Sequence, residues 1–426
     1  MRVCATYGSA VPLMEGAEMH EIRLDVFDEV PPGLGPESVV TLCGKDPSLV
    51  PDWFEGLVDV GESDVLPGRR RIRSFHDFAR TPSSEEIVSM LSEGGQEISK
   101  GAFDANSFVD LCSILDASRA LNRKHVLLGM GQIGMVTRIR QSVLGNEFTF
   151  GYVGKPTAPG QLGAEEMEAL GDECEIVGIT GHPLSSSRSP VMQQAAMRSA
   201  GINGRYLVFD SPDLERFGDF VRGYGVRGVN VTIPHKRGVM EHMDSLSPTA
   251  EAVGAVNTVV NSGGRLEGHN TDVSGVLHAL DGCPLGEWKV LVMGSGGAAR
   301  SAVYALSESG AEVHVSGRNA GTVGGLCSEF GAHASSGDVR GFDLIVNCTP
   351  IGLVDGEYPS DISVLKGDQA VFDMVYGRET PLLALARSRG CPAKDGTDML
   401  VSQGADSFRL WFGKDPDVGA MREAVR

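Results

Sequence analysis

Residues 289–300, Lys-Val-Leu-Val-Met-Gly-Ser-Gly-Gly-Ala-Ala-Arg, constrain the fold more than any other stretch. The apolar run reads as a buried strand, the glycines as a tight turn, and the alanine-rich continuation as a helix. Gly294 permits the turn. Gly296 lets the backbone approach a pyrophosphate, whose charge the helix N-terminus meets. Ser295, Gly297 and Ala298 complete the loop, and Ala299 takes the place of a third glycine. A further strand at Glu312–Ser316 makes this a strand–helix–strand unit, which requires a parallel sheet. That strand runs into Gly317-Arg318-Asn319. An acid there would bind a ribose 2′-hydroxyl; Arg318 instead suits a 2′-phosphate, so NADP is expected over NAD. The bland alternative is a solvated surface arginine. Thr322, a few residues on, supplies no second cation.

The chain has 426 residues, a formal net charge of −19 and 41% hydrophobic residues. That length suits two or three domains. The acidic balance disfavours nucleic acid as a partner and means that anionic ligands must be held by a few local cations and N–H groups. No apolar run is long enough to span a membrane, and the N-terminus does not read as a signal peptide, so a cytoplasmic protein is expected. Eight cysteines are scattered without CxxC pairs or zinc-ligand spacing, so free thiols and no metal are expected.

Between about residues 174 and 282, several polar motifs are strung along an α/β pattern. Ser187 and Ser189 precede a helix from Pro190 to Gly201; alone, either could be a plain N-cap. Asn230-Val231-Thr232-Ile233-Pro234-His235-Lys236 is a strand and turn presenting a lysine. Asn257 and Asp272 sit in GAVNT and GHNTD, and Gln403 follows Asp395-Gly396-Thr397-Asp398 on an amphipathic helix, Asp398–Trp411. In number, order and spacing these motifs resemble a complete shikimate dehydrogenase. The resemblance implies a substrate domain, a Rossmann domain for NADP, and a C-terminal helix returning to the first. By motif, Ser187, Ser189, Thr232, Asn257, Asp272 and Gln403 would hold the polyol and carboxylate of shikimate or 3-dehydroshikimate, with Tyr376 facing them. Met374 and Gly396 would border the nicotinamide, and Asn347-Cys348-Thr349-Pro350 the cofactor side. Lys236 and Asp272 resemble the pair that protonates the alkoxide left by hydride addition.

Up to about residue 155, eight short β-rich runs alternate with crossovers: 3–7, 20–27, 39–43, 57–60, 71–75, 98–103, 125–129 and 148–153. This pattern predicts a compact (β/α)8 barrel with some outer helices reduced to turns. Glu21, Arg23 and Asp25 alternate onto one strand face; a structural ion pair is the dull alternative. His76 ends the fifth strand and Lys100 lies on the sixth. Lysine with histidine in a barrel suggests imine chemistry and loss of water from a β-hydroxy ketone. RSFHDFARTP, SKGAFDANSFVDL and TFGYVGKPTAPGQL resemble type I 3-dehydroquinate dehydratase over about residues 1–168. The resemblance implies Lys100 as the Schiff-base residue, His76 as general acid/base, and Arg138 on the carboxylate of 3-dehydroquinate. Glu21, Arg23, Thr157 and Gln161 would contact hydroxyls, and Met130 would pack nearby. Two departures stand out. Cys43 occupies the family's arginine position, where Lys45 could substitute only as a point charge. Gly61 stands where the family has an acid.

The expected division is therefore 1–168 (barrel), 173–282 with 395–426 (substrate domain), and 283–394 (Rossmann domain). Together they would make a bifunctional enzyme taking 3-dehydroquinate to shikimate. The sequence leaves open a homodimer, a barrel retained only for structure, and an NAD-linked quinate/shikimate dehydrogenase. A metabolite sensor fits poorly, because the proton-transfer residues are present and no basic DNA-binding helix is visible.

Overall fold

A computed structural model describes all 426 residues except Asp64 and Pro67. The chain forms two compact units, Met1–Leu184 with Asn203–Val226, and Ser185–Ile202 with Arg227–Arg426. No described helix is long and apolar enough to cross a membrane, and all eight cysteines are free.

The first unit is built on β1 (Val3–Tyr7), β2 (Met19–Arg23), β3 (Val39–Thr41), β4 (Leu57–Asp59), β5 (Arg71–Asp77), β6 (Ile98–Asp104), β7 (His125–Met130) and β8 (Thr149–Val153). Their parallel order is β7-β6-β5-β4-β3-β2-β1-β8, a nearly closed barrel. All eight expected strands are present. Helices α1 (Ser84–Ser92), α2 (Phe108–Ala120), α3 (Met135–Ile139) and α4 (Ala164–Leu170) follow β5 to β8, and among the described residues no α-helix precedes α1. The second strand is shorter than expected. The N–H groups of Val26 and Phe27 turn back to the Arg23 carbonyl, so Asp25 leaves the strand face and pairs with Arg23.

The pleat sorts the barrel interior into layers. Met19, Val39, Leu57, Ile72, Ile98 and Val126 belong to one apolar core cluster. Two residues further along five of those strands come Glu21, Thr41, Asp59, Ser74 and Lys100, a polar row one pleat above an apolar floor. Between β7 and β8 the ladder is bridged by a side chain. The Leu127 N–H donates to Asn146 Oδ1 at 2.7 Å, and Asn146 Nδ2 donates to the Leu127 carbonyl at 2.9 Å. Glu147 N–H adds a bond to the His125 carbonyl. The Asn146 amide thus imitates a strand backbone, satisfying two buried groups that would otherwise be orphans.

β9 (Glu175–Gly181) leads to α5 (Ser189–Ser199), β10 (Gly204–Asp210) and α6 (Phe217–Gly223). β9 and β10 pair in parallel within the first unit, which also holds α6. The second unit takes α5 and continues with β11 (Gly228–Val231), β12 (Ser245–Leu246), α7 (Pro248–Val253), β13 (Thr258–Ser262), β14 (Arg265–His269) and α8 (Asp272–Ala279). Next come β15 (Lys289–Met293), α9 (Gly297–Glu308), β16 (Glu312–Ser316), α10 (Ala320–Phe330), β17 (His333–Ala334), β18 (Leu344–Asn347), β19 (Ala370–Asp373), α11 (Pro381–Ser388) and β20 (Ala393–Lys394). These strands form a parallel sheet, β17-β16-β15-β18-β19-β20. On β15, Val290 and Val292 join one apolar cluster while Leu291 and Met293 join another, so both faces are covered. Helices α12 (Thr397–Phe412) and α13 (Val418–Ala424) end the chain. α12 packs on α8 and α5; Gln193 Nε2 donates to the Gly404 carbonyl and Trp411 Nε1 to the Val259 carbonyl.

Replacing Asn146 with Ala should leave the Leu127 N–H and carbonyl unpaired at the barrel seam. Urea unfolding should show a loss of about 1–3 kcal/mol; an unchanged midpoint would mean that water or a shifted strand closes the seam instead.

Candidate active sites

The barrel holds a cavity of about 410 Å³. All eight residues expected from the sequence line it: Glu21, Arg23, His76, Lys100, Met130, Arg138, Thr157 and Gln161. Lys100, only 7% exposed, rises from β6 and donates to Asp59 Oδ2 at 3.1 Å, with its ammonium 4.5 Å from the centre of the Phe150 ring. Asp59, 1% exposed, also accepts from Ser74 Oγ at 2.6 Å and from the Gly61 N–H at 3.1 Å. Burial pulls the Lys100 pKa down, but the Asp59 and Glu21 carboxylates outweigh it, and the net direction is up. Asp59 and Ser74 were not singled out from the sequence. The signal was present: a carboxylate inside a three-residue strand of a barrel needs a partner.

Arg138 is 2% exposed, its Nε has no hydrogen-bond partner, and no carboxylate pairs with its guanidinium among the described residues. Burial lowers its pKa to about 10. A buried cation without a counter-charge, open to a cavity, is arranged for an anion. His76 opens onto the cavity and stacks on Phe78, ring centres 6.1 Å apart and 11° from parallel. Although its ring is accessible from the cavity, the surrounding walls and then the Lys100 charge lower its pKa to about 4. Glu21 accepts from Thr41 Oγ1 at 2.6 Å, and Gln161 Oε1 accepts from both the N–H and hydroxyl of Thr157. Cys43 lines the cavity with φ of 51°. Lys45 is exposed and does not line it.

The second constellation lies in the second unit. Lys236 Nζ donates to Asp272 Oδ2, and Asp272 Oδ1 accepts from Asn257 Nδ2 at 2.9 Å. Asn257 Nδ2 also reaches Thr271 Oγ1 and, at 3.4 Å, Gln403 Oε1, while its Oδ1 accepts from the Thr271 N–H. Asp272 opens α8, where the helix N-terminus favours a carboxylate. The network continues through buried Asn230, Thr258 and Ser407; Ser407, on α12, escaped notice because nothing local marks it. Burial raises the pKa of Tyr376, whose partners are the Ser187 side chain and the Arg188 backbone. The N-cap of α5 is Arg188, with no side-chain cap bond, so neither Ser187 nor Ser189 serves as the plain cap. Ser187 Oγ instead accepts from the Ser189 N–H at 3.3 Å. Thr232 ends β11's path into the turn that carries Lys236, its carbonyl accepting from the His235 N–H.

The glycine loop abuts this constellation. A Cβ on Gly297 would lie 3.0 Å from Lys236 Cδ, and one on Gly396 would lie 2.1 Å from the Met374 carbonyl oxygen. Gly294 has φ of 121°, which only glycine adopts without strain, and a Cβ on Gly296 would meet nothing within 4 Å. The loop is therefore an open cradle ahead of α9, whose first residues include Gly297 and Ala298. Ser295 Oγ meets Thr322 Oγ1 at 2.9 Å. Asn319 caps α10, its Oδ1 accepting from the Thr322 N–H. Arg318 beside it is exposed. Thr349 turns its N–H and hydroxyl to Asn347 Oδ1.

A parallel barrel enclosing a lysine and a dinucleotide-binding α/β unit with a second paired lysine define a chain of two α/β enzyme modules. Three family models match it: Type I 3-dehydroquinase over residues 63–172, Shikimate dehydrogenase substrate binding domain over 179–259, and Shikimate 5'-dehydrogenase C-terminal domain over 396–426. A shikimate dehydrogenase (NADP(+)) of Thermococcus kodakarensis is 40% identical over 265 residues, covering 59% of this chain and 96% of the relative. Among solved structures, a shikimate dehydrogenase from Aquifex aeolicus superposes with a TM-score of 0.57 at 34% identity, covering 60% of this chain and 98% of that one. That of Thermus thermophilus, in complex with NADP(H) and shikimate, gives 0.55 at 40% identity, covering 59% and 98%. The chain belongs to the shikimate dehydrogenase family and carries a type I 3-dehydroquinase domain ahead of it.

Because His76 is neutral far below ordinary histidine pH, the acidic limb of kcat/KM for dehydration should fall nearer pH 4 than 6.5. Activity is kept as pH falls through 6.5 and lost only as the imidazole gains its proton. A limb centred at 6.5 would mean that the cavity walls and the Lys100 charge do not lower the His76 pKa, or that His76 is not the group that titrates.

Proposed function

We propose that this chain dehydrates 3-dehydroquinate to 3-dehydroshikimate in the barrel and reduces 3-dehydroshikimate to shikimate with NADPH in the remainder. Residues 1–168 would carry the first step, 173–282 with 395–426 would hold the second substrate, and 283–394 the dinucleotide. The observation that carries the reading is the cavity lined by both Lys100 and an unpartnered Arg138.

In the first step Arg138 receives the substrate carboxylate, and Glu21, Arg23, Thr157 and Gln161 receive hydroxyls. Lys100 rests as an ammonium. Addition to the ketone requires a proton acceptor, and Asp59, 3.1 Å away, and neutral His76 are the cavity groups suited to it. Condensation releases water and leaves an iminium on Lys100. His76 takes the acidified C–H proton and returns one to the departing β-hydroxyl. Hydrolysis of the imine then frees the enone and restores the lysine.

In the second step the open cradle at Gly294–Gly297 suits a pyrophosphate, and exposed Arg318 a 2′-phosphate. When bound, NADPH supplies hydride to the carbonyl carbon. Lys236, held by Asp272, donates the proton that the carbonyl oxygen then needs, and Asn257 keeps Asp272 turned toward it. Ser187, Ser189, Thr232, Tyr376 and Gln403 surround the polyol, and Met374 and Gly396 border the nicotinamide.

Borohydride added with 3-dehydroquinate should fix the substrate on the intact chain, seen by mass spectrometry, and the adduct should vanish in Lys100→Ala. An adduct surviving that substitution removes the assigned lysine. In the same preparation Lys236→Met should lower 3-dehydroshikimate reduction by at least about 100-fold with NADPH affinity retained; undiminished turnover removes its proton role.

A further inference from the structure

We infer that Arg140 is a positioning residue for the dehydratase pocket, acting by fastening Arg138 to a stretch of dehydrogenase sequence. The inference rests on the reading of Arg138 as the carboxylate-binding residue.

α3 is a helix of five residues, too short to hold its own conformation, yet it aims Arg138 into the cavity. Nothing within the cavity fixes that guanidinium, whose Nε is unpartnered. Two residues on, Arg140 is 9% exposed, and each of its three guanidinium nitrogens donates a hydrogen bond. Its Nε donates to the Tyr224 carbonyl at 3.1 Å, its Nη2 to the Gly225 carbonyl at 3.4 Å, and its Nη1 to the Asp172 carbonyl. Tyr224 and Gly225 end α6, where a cation is favoured by the carbonyls left open there. One planar fork thus ties the end of α3 to the end of α6.

α6 is itself held firmly. Tyr224 Oη donates to the Leu111 carbonyl on α2 at 2.8 Å, Phe108 packs against Phe217 and Phe220 at 5.3 and 4.9 Å, and Arg216 pairs with Asp116 at 2.7 Å. Yet α6 lies inside the residues that match the dehydrogenase substrate-binding domain, 179–259, while sharing a compact unit with the barrel. Dehydrogenase sequence therefore serves as the barrel's outer layer where α3 needs an anchor. His76 stands on β5 and Lys100 on β6, and the ladder between those strands does not involve α3. Loosening α3 should weaken carboxylate binding and spare the chemistry.

The test is steady-state kinetics on the full-length chain with 3-dehydroquinate and, separately, with 3-dehydroshikimate. Arg140→Met should raise KM for 3-dehydroquinate about tenfold or more while kcat stays within about twofold. Arg140→Lys, keeping one charge but not the fork, should fall between. Dehydrogenase constants should stay within about twofold. Arg138→Met is the control. If it raises KM while Arg140→Met does not, the positioning role is overturned. If Arg138→Met leaves KM unchanged, the underlying carboxylate reading fails, and the positioning role with it. Parallel loss of both activities and of the near-ultraviolet circular dichroism signal, in Arg140→Lys as well as Arg140→Met, also overturns it, because a general structural residue behaves that way.

Discussion

Each half of the chain turns on an ammonium held beside a carboxylate out of bulk water. An unpaired lysine inside a barrel would shed its charge or pull the structure open. Asp59 prevents this for Lys100, and Ser74 and the Gly61 N–H in turn satisfy Asp59. Asp272 likewise accepts from Lys236, with Asn257 as its second partner. Such pairs are weak devices for stability, since apolar residues of similar volume would serve as well. Under the proposed function their value is chemical: they would keep a proton or a nucleophile at a fixed point. The rest of each module follows from that requirement. The barrel supplies an apolar floor beneath one polar row, and the dehydrogenase supplies a chain of buried amides and hydroxyls from Asn230 to Ser407.

In a strongly acidic chain, a cation that is both buried and unpaired is informative. Most described arginines and lysines are bonded to carboxylates or carbonyls. Arg138 is the buried exception in the barrel, and Arg318 stands exposed beyond the glycine loop. Under the proposed function these two cations would take their counter-charges from the substrate carboxylate and the cofactor 2′-phosphate, against a net charge of −19.

Much of this was legible in the residues. Short β-rich runs located all eight barrel strands, and the Lys289–Arg300 stretch located the parallel sheet and its turn. Lys100 and His76 were legible because a charged residue on an inward strand face is costly without a purpose. Asp59 stood out less, because its place is defined by its bond to Lys100, 41 positions away in the chain. Asp25 was misplaced on a strand face because the turn back to the Arg23 carbonyl has no proline or glycine to announce it. Asn319, expected beside the cofactor, also caps α10 through its side-chain oxygen, a role the sequence reading did not assign it. The Asn146 bridge and the hold of Arg140 on α6 were invisible for a common reason. Both join residues 19 or more positions apart through backbone groups, which sequence does not label.

The account stands most directly on one measurement. The purified chain, given 3-dehydroquinate and NADPH together, should form shikimate, with one NADPH oxidised for each shikimate released. Dehydroshikimate accumulating without NADPH oxidation, or dehydroquinate persisting unchanged while added dehydroshikimate is reduced, would contradict the claim that both modules act in this protein.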